Sequence, residues 1–105
     1  DKESSRLVAA SQAVYDPIFQ MPLYKPYERF LNQENGSLSS TGSSAYGGAI
    51  TAALFLQKFV KKDTSWMHLD IMGWNLSNLP GRPVGGEAMS LRGCFHYIKE
   101  FIKTY

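Results

Sequence analysis

With one cysteine, Cys94, this chain can form neither an internal disulfide framework nor a cysteine-rich zinc module. A lone thiol suits a reducing compartment. No unbroken apolar run approaches the roughly 18 residues that a membrane-spanning helix needs. The opening residues DKESSR lack the charged-then-apolar order of a signal peptide, and they lack an initiator methionine, so the chain reads as cut from something longer. Excess charge is also missing: 11 basic residues face 9 acidic ones, a formal net of +2, and only Lys61-Lys62 forms a basic pair. Nucleic-acid binding therefore has no electrostatic footprint. No G-x-S-x-G elbow frames Ser39, Ser40, Ser43 or Ser44, and the glycines of TGSSAYGGA match neither G-x-x-x-x-G-K-[ST] nor G-x-G-x-x-G.

What is present is an ordinary globular composition, 44% hydrophobic over 105 residues. A chain of this size buries roughly 65% of its unfolded surface, enough for one small core with little margin. Leu7, Ala10 and Val14 recur at helical spacing, predicting a helix over about 5–15 with Ser4 or Ser5 as its cap. Asp16-Pro17 ends it, because proline disfavours the helical region for the residue before it. A second helix is expected over 26–32, with Pro26 in its first turn and Tyr27, Phe30 and Leu31 inward. After a Ser/Gly/Asn-rich stretch whose composition favours a linker and that admits a short strand near 37–41, GGAITAALFLQKFVKK predicts a buried helix over 48–61, apolar nearly all round. WMHLDIM alternates and predicts a strand over 66–72. The segment 73–86 reads as a long loop. Leu91, Cys94, Phe95, Ile98, Phe101, Ile102 and Tyr105 then mark the apolar stripe of a helix over 87–104. The fold class is α/β, mostly helical; one clear strand cannot make a sheet, so the piece expects partners.

Several side chains could carry chemistry. His68 and Asp70 share a strand face, a frequent metal pairing, but two ligands are too few and nothing in the chain completes the set. The structural alternative, polar groups at a sheet end bonded to the next loop, accounts for them better. His96 and Glu100, one helical turn apart, read as a surface pair, and Cys94 as a small core residue. Trp74, Asn75 and Arg82 are the candidates for ligand contact, because loops at strand ends are where α/β domains bind ligands.

GGAITAALFLQKFV, followed by WMHLDIMGWN and GRPVGGEAM, closely resembles the end of the leucyl (cytosol) aminopeptidase family. DPIFQMPLYKPYERFL resembles the segment just ahead of it. These motifs occur in the family's order and spacing over most of the chain, and the W-N and GGEA wording looks most like the bacterial branch.

The resemblance implies the C-terminal part of a layered α/β/α metallopeptidase domain, over 1–105, in an enzyme that removes N-terminal amino acids from peptides. The family's metal ligands and its N-T-D-A-E-G-R motif with the catalytic arginine lie upstream, so no catalytic residue and no metal ligand is expected here. Two divalent ions (zinc, manganese or magnesium) would belong to the complete enzyme, none to this chain by itself, which is expected to be inactive alone. Position by position, Met72 and Asn75 fall where the family walls the pocket for the substrate's first side chain, and Thr41 where it contacts the second. Expected partners are the remainder of the subunit, peptide substrates and further subunits of a cytoplasmic hexamer, with no nucleic acid and no membrane. Two alternatives stay open: a free-standing interaction module of the same fold, and a pseudoenzyme whose upstream half has lost its ligands.

Overall fold

A computed structural model describes residues 2–32, 38 and 47–103. The chain divides into two compact units, one of residues 1–20 and 69–105, the other of residues 21–68.

In the first unit, helix α1 (Lys2–Ala13) packs along helix α3 (Leu91–Lys103). Leu7, Ala10 and Ser11, at i, i+3 and i+4, form the buried stripe of α1. Its end is built in a specific way. The Asp16 N–H donates to the Ser11 carbonyl at 2.9 Å and the Tyr15 N–H to the Gln12 carbonyl at 3.2 Å. This is the paired bonding of a Schellman stop, with Tyr15 in the left-handed region at φ 56° where glycine is usual. Two guanidinium groups hold that residue. Arg82 and Arg92 both donate to the Tyr15 carbonyl, at 2.6 and 3.0 Å.

On the other side of the crossing, Gly93 is the buried residue of α3. A Cβ there would lie 2.1 Å from Ser11 Oγ and 3.1 Å from Ser11 Cα, so only glycine permits this approach. The Tyr97 hydroxyl donates to Glu3, and Arg6 lies over the Phe101 ring at 5.9 Å, continuing the seam. The apolar stripe expected on α3 is therefore divided. Cys94 and Phe101 are half-buried, whereas Leu91, Phe95, Ile98 and Ile102 form a second row that stays more than half exposed. Tyr105 lies outside the described residues. Glu100 pairs with Lys103 at 3.1 Å, and His96, the partner expected for it, adds a weaker electrostatic attraction.

Where a strand was expected over 66–72, no described segment pairs with those residues. The ladder comes immediately afterwards, joining β1 (Trp74–Asn75) antiparallel to β2 (Gly85–Gly86), with Trp74 opposite Gly86 and Asn75 opposite Gly85. A strand exists through bonds to a neighbour, and alternation alone supplies none. The expected loop 73–86 is thus an ordered hairpin. Glu87 N–H extends it onto the Gly73 carbonyl at 3.0 Å, and an inner bridge links Leu79 and Arg82 through two backbone bonds of 2.9 and 2.8 Å. Pro80-Gly81 makes the turn, with Gly81 at φ 72°, a conformation glycine adopts without steric cost.

The second unit packs helix α2 (Gly48–Gln57) on a 3₁₀ segment, Lys25–Leu31, with Leu31, Ala53 and Leu54 as its core. Gly47, at φ 68°, brings the start of α2 against the Tyr27 ring, which would sit 3.1 Å from a Cβ at that position. A Lys58–Glu28 ion pair of 3.2 Å closes the far side. The helix expected over 48–61 as buried all round stops at Gln57 and leaves Leu56 exposed; among the described elements of this unit, the 3₁₀ segment is the one that packs on it. A single antiparallel bridge joins Asn32 to Leu38; the rest of 37–41 lies outside the described residues.

Candidate substrate-pocket hairpin

The β1–β2 hairpin carries two of the three residues expected to line a substrate pocket. Met72 immediately precedes Gly73, where the hairpin begins, and has 64% of its surface exposed. Asn75 is half-buried at the inner end of the ladder, opposite Gly85. Its side-chain nitrogen donates to the Pro83 carbonyl at 3.2 Å and to one carboxylate oxygen of Glu87. Thr41, the third, lies outside the described residues.

Of the other loop candidates, Trp74 is half exposed and available. Arg82 is not: its guanidinium donates to the second Glu87 oxygen and to the Tyr15 carbonyl, so it clamps the hairpin to the end of α1. Glu87 stands at the centre of this arrangement, with 15% of its side chain exposed. Charge-assisted bonds of this kind are the strong ones, and each Glu87 oxygen holds one. The hairpin crown is fixed separately, by Val84 N–H donating to Asn78 Oδ1 at 2.8 Å.

Below the hairpin, Asp16 is 5% exposed and accepts from the backbone N–H of Ser90 at 3.0 Å and of Gly93 at 3.1 Å. These are the cap and third-residue donors of α3, so one distant carboxylate does the work that a capping box divides between two local side chains. Its burial opposes ionisation most strongly. The N–H donors of Gly93 and Ser90, with Arg92 and Arg82 nearby, outweigh that and hold the carboxyl below its ordinary value of 3.8. Ser90, at φ 67°, turns the chain into the helix, which is why α3 starts at Leu91 and the expected start at 87 falls in the hairpin's exit.

Asp16, Tyr15 and Glu87 escaped the sequence reading because their partners are remote in the chain. The signals were present, an acid at a helix stop and an acid after a glycine pair, but neither names its partner. His68 is half-buried beside the Trp66 ring, at a centroid distance of 6.2 Å, and Asp70 is exposed. Among the described residues no three His, Cys, Asp or Glu side chains lie close enough to share a metal ion. A shallow groove of about 300 Å³ between α1 and α3, lined by Ala9, Ala13, His96 and Phe101 among others, shares no residue with the hairpin.

The sequence pattern of the cytosol aminopeptidase family, catalytic domain, matches residues 1–94. A probable cytosol aminopeptidase of Prochlorococcus marinus (strain MIT 9215) is 37% identical over 101 residues, covering 94% of this chain and 20% of the relative. Leucine aminopeptidase 2, chloroplastic, of Arabidopsis thaliana is 39% identical over 77 residues, covering 71% of the chain and 13% of its own length. The crystal structure of cytosol aminopeptidase from Coxiella burnetii superposes with a TM-score of 0.87 at 47% identity, over 95% of this chain and 22% of that one. The chain thus spans about a fifth of the relatives and of the solved structure it matches. With the family pattern running from the first residue into α3, this chain belongs to the cytosol aminopeptidase family.

Proposed function

We propose that this chain is the C-terminal segment of a metal-dependent, leucyl-type aminopeptidase, and that its hairpin walls the pocket for the substrate's N-terminal side chain. The observation that carries this reading is family membership combined with an exposed Met72 at the base of an ordered hairpin. Met72 supplies apolar wall, worth roughly 25 cal/mol per Å² of side chain it covers. Asn75 supplies the polar edge, and Thr41 meets the residue that follows. The first residue of a peptide is held by burial on one side and by a fixed dipole on the other.

Two divalent ions, zinc, manganese or magnesium, would serve the whole enzyme by activating water and polarising the peptide carbonyl. The buried and half-buried carboxylates around α1, α3 and the hairpin do not fit them as ligands. Asp16, Glu87 and Glu3 already accept bonds from Ser90 and Gly93, from Asn75 and Arg82, and from Tyr97. This segment's part is to bind and orient, and by itself it does not hydrolyse peptides.

The remainder of the subunit is its first partner. The exposed row Leu91, Phe95, Ile98 and Ile102 on α3, the segment 66–72 without a strand partner among the described residues and coverage of a fifth of the relatives all support that partnership. Assembly into a hexamer and residence in the cytoplasm complete the reading. No helix among the described residues is long and apolar enough to cross a membrane.

The full-length subunit should hydrolyse leucine p-nitroanilide only with divalent metal added, and the 105-residue chain should not hydrolyse it at all. In the full subunit, Met72→Asp should raise KM for the leucyl substrate by about tenfold, since a charge replaces an apolar contact. Steady-state kinetics with and without chelator checks both. A full subunit that is inert with every metal, or a Met72→Asp variant with unchanged KM, would refute the assignment.

A further inference from the structure

An asparagine side chain presents two ends of the same shape and opposite chemistry, and its neighbours decide which faces where. At Asn75 the neighbours leave no choice. The Pro83 carbonyl and the Glu87 carboxylate can only accept, and both meet the same end of the amide, which must therefore be the NH₂ group. Both of its hydrogens are committed. The opposite end, Oδ1, makes no hydrogen bond among the described residues. Glu87 is itself held in place, because its other oxygen accepts from Arg82, whose second nitrogen donates to the Tyr15 carbonyl at 2.6 Å. The chain of restraint runs from the end of α1 through Arg82 and Glu87 to a single orientation of one amide.

Resting on the aminopeptidase reading above, we propose that Glu87 is a positioning residue that locks Asn75 with its carbonyl oxygen as the free acceptor of the pocket, so that the enzyme takes N-terminal residues bearing a hydrogen-bond donor, such as asparagine, as well as apolar ones. A carboxylate is required for this. A glutamine at position 87 has one oxygen, which the guanidinium of Arg82 claims as the stronger donor. Its NH₂ then faces Asn75 and opposes the orientation that the Pro83 carbonyl still favours, so the amide is no longer locked and a donor is offered part of the time where the acceptor stood.

The test pairs two nearly isosteric substrates, asparaginyl and leucyl p-nitroanilides, on the metal-loaded full-length subunit. In Glu87→Gln the ratio of kcat/KM for asparaginyl over leucyl should fall by about five- to tenfold, the effect of one exchanged hydrogen bond. Asn75→Leu should lower the same ratio, and adding Glu87→Gln to it should change the ratio no further, because Glu87 acts through Asn75. Equal losses on both substrates in Glu87→Gln, or a further shift in the double variant, overturn the specificity role. Alongside, the side-chain NH₂ of Asn75 in the ¹⁵N-labelled full-length subunit should exchange slowly with solvent, and faster in Glu87→Gln; a freely exchanging NH₂ in the unaltered subunit overturns the lock. A full subunit with no metal-dependent hydrolysis instead sinks the aminopeptidase reading, and the pocket's specificity with it, while the amide spectra still judge the lock.

Discussion

Replacing Asp16 with alanine should destabilise the first unit by about 2–4 kcal/mol, the loss of two hydrogen bonds to a charged acceptor with their buried donors left unmatched. The donors are the N–H groups of Ser90 and Gly93, and Ser90 and Gly93 are both buried, so water cannot easily replace the carboxylate. The favourable placement of a negative charge at the start of α3 disappears as well. Asp16→Asn should fall between the wild type and alanine, since an amide keeps one acceptor and turns a donor toward the other N–H. Urea denaturation followed by far-ultraviolet circular dichroism measures both. An Asp16→Ala chain as stable as the wild type would show that α3 does not depend on this cap.

The same carboxylate sets an acid limit. Because the folded state holds the Asp16 carboxyl below its ordinary value of 3.8, the unfolded chain binds the proton more tightly. The stabilisation is complete above the unfolded value, declines as pH drops below about 4, and is lost once pH passes through the lower folded value. Denaturation midpoints should therefore be level between about pH 5 and 7 as far as this group is concerned and fall under more acid conditions. In Asp16→Ala that share of the fall should be absent. An identical acid profile for the two chains would contradict the assignment.

The second large effect belongs to Gly93. In Gly93→Ala the new Cβ would lie 2.1 Å from Ser11 Oγ, 2.9 Å from Ser11 Cβ and 3.1 Å from Ser11 Cα. Rotating the serine relieves only the first of these, and the last is backbone, so α1 and α3 must move apart. The strain should cost about 1–3 kcal/mol, exceeding what alanine's helix preference of roughly 1 kcal/mol returns. Pairing the change with Ser11→Gly should recover part of the loss and none of the contact with Cα. A thermal-unfolding cycle of the four chains reads the coupling directly; strict additivity would mean the helices are not in contact there.

Much of the fold was legible from local pattern. Leu7 and Ala10 repeat at helical spacing and lie in the buried stripe of α1, and Pro26 sits in the first turn of a helical segment. The candidate site was legible only as a location, the residues around 72–82. Arg82 was read as a ligand contact from its place in a loop, and its guanidinium proves to be engaged by Glu87 and Tyr15. The strand expected over 66–72 had the right alternation, and alternation is silent about whether a neighbour exists to complete the ladder.

The sequence by itself determined the helical segments, the helix stop at Asp16-Pro17 and, through motifs in order, the family. Periodicity, proline and glycine act over one to four residues, so these features are written where they occur. Only the tertiary structure decided where α3 begins, which row of its apolar residues is covered, and which end of the Asn75 amide is free. Those outcomes depend on Asp16 meeting Ser90 and Gly93 across 74 and 77 residues, and on Arg82 reaching Tyr15 across 67. Contacts made over such separations leave no local trace in the order of residues, because either partner would look the same without the other.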